Sequence, residues 1–308
     1  MSETERRRAS AGLVIFTALC LLGSWSVAAT LRVLSLNVHP TAMGTRLFTT
    51  LVLYALTMGW QPFVATWIVR RWVDPPGSID LGLRRSERGF NVAAFALGAS
   101  LVLLAALVAL ALAALGWMRP LSAAALEVGR SGDGMIELSL AAVGTLLLGA
   151  GQAFTEEVGW RGYFLLRAMQ RFGRWRGLAL QGLVWALWYA PVVFFTCFGE
   201  LDARSAIVRS ASFTVSCAML GVVLGWLRLA AQSLGPAVIA NSTLTFAAGL
   251  PYLLHGMQTG ARGALFGPAG WLVLLGCLAL ASRRWEAAVQ TPTVPRARFE
   301  RERRLDWN

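Results

Sequence analysis

Ala153–Met169, AFTEEVGWRGYFLLRAM, closes the long apolar run Leu138–Phe154 with two adjacent carboxylates, Glu156 and Glu157. A charged side chain deep in a bilayer costs roughly 2.5–3.5 kcal/mol on insertion scales. Such residues face a protein interior or a watery cavity, and their default reading is functional. On a helix Glu157 and Arg161 stand four apart on one face, in the favourable acid-before-base order. Glu156 points about 100° away from Glu157, so it lacks that partner and is free for another role. Gly162 lets another backbone approach. The competing reading is a solvated charge cluster just past a helix end.

Working outward, the whole chain is built for a membrane. Its 308 residues are 56% hydrophobic and 14% charged, with a mean hydropathy of +0.57. Apolar runs of about 18 or more residues recur, the length that a transmembrane helix needs. The expected fold is all-α, a multi-pass transmembrane helical bundle of about eight spans. The net charge of +12 invites a nucleic-acid reading, but the charges lie between the apolar runs and form no single basic face. The lipid bilayer is the expected partner, and no nucleic acid is. Every basic residue is arginine. Cys20, Cys197, Cys217 and Cys277 lie in or beside apolar runs without CxxC spacing, which fits buried thiols better than a zinc ribbon or disulfide framework.

In chain order, a short basic tail, MSETERRRAS, precedes a first span at about Ala11–Leu34. Its length and the absence of a following soluble domain favour an uncleaved helix over a signal peptide. The second span is about Leu47–Val69, interrupted by Gly59 and Pro62. The next loop carries five arginines and the turn signal Asp74-Pro75-Pro76-Gly77. Further spans are expected at about Phe90–Leu115, Ile136–Phe154, Leu178–Phe198, Ala211–Leu229, Leu234–Leu254 and Leu265–Ala281, with Pro191 and Pro236 read as kinks. An arginine-rich tail ends the chain. Residues 1–135 are taken as N-terminal helices and basic loop, 136–255 as the core, and 256–308 as the last helix and tail.

With eight spans, alternate loops hold roughly 20 arginines on one side against about 7 on the other. The positive-inside rule then puts both termini in the cytoplasm, with the protein in the cell membrane. Few polar residues interrupt the apolar runs. Beside Glu156, Glu157 and Arg161 they include Gln181, Tyr189, Asn241, Ser242, Thr243 and Thr245.

Glu156-Glu157-Val-Gly-Trp-Arg161, followed by Gly162-Tyr163, resembles the Glu-Glu-x-x-x-Arg motif of the CPBP (CAAX protease and bacteriocin-processing) family of intramembrane endopeptidases. The flanks Leu183–Pro191 and Gly225–Ala240 also look like that family, so the resemblance covers about residues 140–250. The family's second motif is Phe-x-x-x-His, and here Trp185-Ala-Leu-Trp-Tyr189 puts tyrosine at the histidine position. Its third is His-x-x-x-Asn/Asp, and here Asn241-Ser-Thr-Leu-Thr245 replaces both ends. The only histidines are His39 and His255, and His255 lies 14 residues past Asn241, about 20 Å along a helix.

The resemblance implies that Glu156 is the base on water, with Tyr189 in the place of the assisting histidine. Asn241 and Thr245 occupy the places of the oxyanion donors, and Glu157 and Arg161 hold the helix end in shape. Tyrosine, with a pKa near 10, is a poor base at pH 7, whereas an amide and a hydroxyl can donate to an oxyanion. Losing acid–base help costs about 10²–10⁴ in rate and losing one oxyanion donor about 10²–10³. Without histidine, no His/carboxylate set remains for zinc, so neither metal nor cofactor is expected. Structural readings stand beside these: Tyr189 as a packing residue with its hydroxyl on a neighbour, and Asn241 as interhelical glue.

The expected function is therefore a family-like membrane protein with hydrolysis weakened or lost, a pseudoenzyme that binds a membrane-embedded peptide or protein. One alternative is an active glutamate-dependent endopeptidase acting on a membrane-anchored or prenylated substrate. Another is a small transporter with Glu156 and Glu157 as its ion site, though no inverted repeat supports it.

Overall fold

The structure is a computed structural model that describes residues 3–33, 57–74, 77–117, 132–198, 203–255 and 265–283. It is a helical bundle, and a helix occupies each of the eight places expected from hydropathy. In chain order these are α1 (Glu3–Val33), α2 (Gln61–Trp72), α3 (Arg88–Ala114) and α4 (Gly132–Glu157). A π-helical segment, Val158–Phe164, then leads without a break into α5 (Leu165–Phe172). After it come α6 (Arg174–Phe198), α7 (Ala203–Ala231), α8 (Gly235–His255) and α9 (Pro268–Arg283).

Four helical stretches among the described residues are long and apolar enough to cross a membrane: Arg7–Thr30, Arg88–Ala114, Arg174–Phe195 and Ala203–Ala231. The second expected span is described only from residue 57, where a 12-residue helix begins at Gln61. Its first part, His39, the Pro75-Pro76 turn and the tail from residue 284 lie outside the described residues, as do the side chains of Cys197 and His255. Cys20 and Cys217 are buried free thiols, and Cys277 is half-buried.

Local chemistry explains several boundaries. Pro62 sits in the first turn of α2, where its missing N–H removes no helical bond. Pro236 occupies the same kind of position in α8, so it starts a helix rather than kinking one. Pro191 does lie inside α6. Gly173, with φ +82°, reverses the chain between α5 and α6.

Packing uses small residues where backbones approach, as expected when lipid is no less apolar than the partner helix. α3 buries Ala94, Gly98, Leu101, Val102, Ala105 and Ala109, and a Cβ at Gly98 would come within 2.6 Å of the Ala240 carbonyl oxygen of α8. The other side of α3 exposes Val92, Phe95, Leu103 and Leu107, an apolar face suited to lipid. α6 and α7 pack as closely: a Cβ at Gly221 would lie 2.6 Å from the Gly182 Cα. The first helix is part of the core. Its Phe16 is fully buried with ring centroids 5.1 Å from Trp160 and 5.5 Å from both Tyr163 and Phe164.

The loop after α2 is laced across the arginine-rich end of the bundle. Asp74 pairs with Arg167 at 2.8 Å, and Arg167 also donates to the Ser78 hydroxyl at 2.8 Å. Further along, the Leu234 amide donates to the Gly82 carbonyl at 2.8 Å and Arg84 Nε to the Gln232 carbonyl at 2.7 Å. Gly82 has φ +73° and lies against the Arg228 guanidinium, which a Cβ there would meet. Only glycine suits both constraints.

Candidate functional site

Four elements meet at the glutamates. The last two turns of α4 supply Gln152, Glu156 and Glu157, and α6 brings Trp185 and Tyr189, which lie four apart on one side of their helix, to Glu156. α8 reaches the pair with Asn241, and the π-helical segment supplies Arg161. Glu156 is 1% exposed and Glu157 and Arg161 are 0% exposed. The charges are therefore inside the bundle, and the solvated-cluster reading is corrected by that burial.

Glu156 meets three donors. Its Oε1 accepts from Gln152 Nε2 at 2.8 Å and from the Tyr189 hydroxyl at 2.8 Å. Its Oε2 lies 3.0 Å from the same hydroxyl and accepts from Trp185 Nε1 at 3.3 Å. The tyrosine at the histidine position thus packs against its neighbours and also contacts the carboxylate proposed to do the chemistry. Its ring sits edge-on to Trp188 at 4.7 Å, Trp185 at 5.6 Å and Phe213 at 5.9 Å.

Glu157 and Arg161 form the expected pair at 2.8 Å. They do so although a π-helical turn begins between them, because the wider turn still leaves the two side chains on one face. Asn241 Nδ2 donates to the same Glu157 oxygen at 2.9 Å. The guanidinium lies 4.0 Å above the Trp185 ring, a cation–π contact that desolvation strengthens. Trp185 therefore touches both halves of the site, its N–H on Glu156 and its face under Arg161.

Five of the six residues singled out from sequence converge here: Glu156, Glu157, Arg161, Tyr189 and Asn241. Thr245 does not join them. It is exposed one turn further along α8, with its methyl group near Gly149 of α4. Asn241 is committed to Glu157 and so links α8 to α4. Gln152 and Trp185 are the partners that motif reading missed. Gln152 had a signal, since it stands four residues before Glu156 just as Arg161 stands four after Glu157. Trp185 begins the second motif but gives no sign in sequence of bonding a carboxylate.

The surroundings tie this site to the first third of the chain. The Thr155 hydroxyl donates to the Gly59 carbonyl at 2.7 Å, and Trp188 Nε1 donates to Gln61 Oε1 at 2.9 Å. The Ser24 hydroxyl of α1 donates to the Trp188 carbonyl. Among the described residues no three His, Cys, Asp or Glu side chains gather as a metal-ligand set. Glu156 and Glu157 are the two carboxylates at this place, and both oxygens of Glu156 and Oε1 of Glu157 face N–H and O–H donors.

Residues 138–247 match the family described as type II CAAX prenyl endopeptidase, Rce1-like. A 75-residue stretch is 28% identical to the protein named CAAX prenyl protease 2 of Methanococcus maripaludis. That stretch spans 24% of this chain and 28% of the archaeal protein.

Proposed function

Residues 138–247 make this chain a member of the CPBP-like family, and from that premise we propose that it keeps the family's intramembrane site as a binding site rather than a hydrolytic one. Its ligand is a membrane-embedded peptide or protein segment, and the role is regulatory or scaffolding. No metal or cofactor takes part.

One observation supports this reading above others: three side-chain donors hold the Glu156 carboxylate. An ionised carboxylate offers about four lone-pair sites on two oxygens. Gln152, Tyr189 and Trp185 each direct one hydrogen at them, the Tyr189 hydroxyl lying within reach of both oxygens. A general base must turn a lone pair towards the water that it deprotonates, and three of the four are already engaged. A group equipped to accept that proton next would need to stand in hydrogen-bond reach, and tyrosine at pH 7 is a donor. The second replaced histidine position, Asn241, bonds Glu157 instead of facing an oxyanion. These replacements turn a charged centre towards holding its own helices together.

Purified protein incubated with membrane-anchored and prenylated peptides tests the proposal. Retention of peptide without new termini is expected, with Glu156→Gln no different in cleavage. Release of product by the native protein, abolished in Glu156→Gln, would overturn it in favour of the endopeptidase. The same proposal puts the protein in the cell membrane with both termini in the cytoplasm. Reporter fusions active only in the cytoplasm should work at either end, and a silent fusion at one end would refute that arrangement.

A further inference from the structure

A line of buried polar atoms runs from the glutamates to the arginine-rich end of the bundle. Glu157 Oε2, Arg161 Nε and Nη2, both amide atoms of Gln181, and Arg228 Nε and Nη1 find no hydrogen-bond partner among the described residues. None of these side chains is surface-exposed: Glu157, Arg161 and Gln181 are 0% exposed and Arg228 is 1%.

Helix geometry puts them in sequence. α5 and α7 run towards the arginine-rich end and α6 runs away from it. Arg161, Trp185 and Gly221 share one level, since the guanidinium covers the Trp185 ring and a Cβ on Gly221 would touch that ring at 3.3 Å. One turn further, about 6 Å along each axis, Leu165, Gln181 and Gly225 share the next. There, a Cβ on Gly225 would lie 3.4 Å from Gln181 Oε1 and 3.4 Å from Leu165 Cδ2. Arg228 follows on the same face of α7, three residues past Gly225. Its Nη2 reaches the Asp80 carbonyl of the surface loop at 3.3 Å.

Each unpartnered buried polar group costs about 1–3 kcal/mol, and more when charged. Several in a row are tolerated only if something bonds them, and internal water making about three hydrogen bonds is the ordinary solution. We propose that Arg161, Gln181 and Arg228 bind a file of internal waters joining the glutamate pair to the arginine-rich end of the bundle. The donor pattern suits water. Both guanidinium groups only donate, so a water accepts from each and passes its own protons to Gln181 Oε1 and Glu157 Oε2. The Gln181 amide offers one acceptor and one donor group between two donor-only neighbours, the role of a relay. The file is independent of whether Glu156 cleaves anything, because it rests on buried groups that need bonding in either case.

X-ray radiolysis of the intact protein in detergent generates hydroxyl radicals from bound water and labels the side chains touching it. Trp185 is 2% exposed and is the reporter; Phe16 and Phe164, 0% and 1% exposed in aromatic surroundings, are the controls. Trp185 is expected to label in the native protein while the two phenylalanines stay silent. Gln181→Leu should abolish that labelling, and Gln181→Glu, which keeps a polar relay, should retain it. A Trp185 as silent as Phe16 and Phe164 in the native protein would overturn the proposal, even if the leucine variant did not fold. Labelling undiminished in a folded Gln181→Leu variant would overturn it too.

Discussion

Arg161 is a cation with one carboxylate and one aromatic face, buried away from the surface. Removing it leaves Glu157 charged in the core with Asn241 as its remaining donor. Breaking a buried pair from one side typically costs about 3–5 kcal/mol. Arg161→Leu should therefore lower the denaturation midpoint of the purified protein sharply. Adding Glu157→Leu to it should recover much of the loss, since an apolar pair leaves no buried charge. A double variant no better than the single one would mean that the loss came from packing. Tyr189→Phe keeps the ring and removes the hydroxyl from Glu156, which should cost about 1–3 kcal/mol for an under-satisfied buried acceptor.

At this scale the sequence was informative where partners share a helix. Glu157–Arg161 follows from a spacing of four, and Gln152–Glu156 obeys the same rule read backwards. The Asn241–Glu157 and Trp185–Glu156 bonds cross between helices. No spacing along a single chain encodes which helices meet.

Among the elements, the approach of α6 and α7 depends on two glycines facing each other. A methyl group at Gly182 would run into the Ala218 carbonyl oxygen, so Gly182→Ala should force the helices apart. Overpacking of this kind costs about 1–3 kcal/mol, and the shift would also move Trp185 away from Arg161. Gly89, in the first turn of α3 with nothing within 4 Å of a built Cβ, supplies the contrast. Gly89→Ala should be neutral or stabilising by about 0.5–1 kcal/mol. Parallel melting curves of the two alanine variants decide whether close approach, rather than glycine content, sets stability. Hydropathy located these elements because apolar length is a strong signal in a membrane chain. The π-helical segment went unseen, since VGWRGYF has no composition that separates it from an α-helix. Pro236 was misread as a kink because its meaning depends on where the helix starts.

Across the whole molecule, the family match covers residues 138–247, yet the site is walled by residues outside it. Ser24, Gly59 and Gln61 bond Trp188 or Thr155. A Cβ at Gly159 would lie 2.7 Å from the Pro62 backbone, so α2 is pressed against the π-helical segment. Residues 136–255 expressed alone should therefore yield no monodisperse protein. Co-expression with residues 1–135 should restore it and co-purify both pieces. A stable isolated core would show that the early helices are accessory.

The π-helical segment Val158–Phe164 sits between the glutamates and Arg167. A π turn is an α-helix that has swallowed an additional residue. Deleting one residue there would relax it to α geometry and leave the downstream helix close to its present face. Arg167 would still face Asp74, whereas the same deletion within a regular α-helix would turn it about 100° away and free the surface loop. Any comparison of this chain with a relative that lacks the turn must open a gap there. Without one, each residue beyond Phe164 is assigned to the wrong side of its helix.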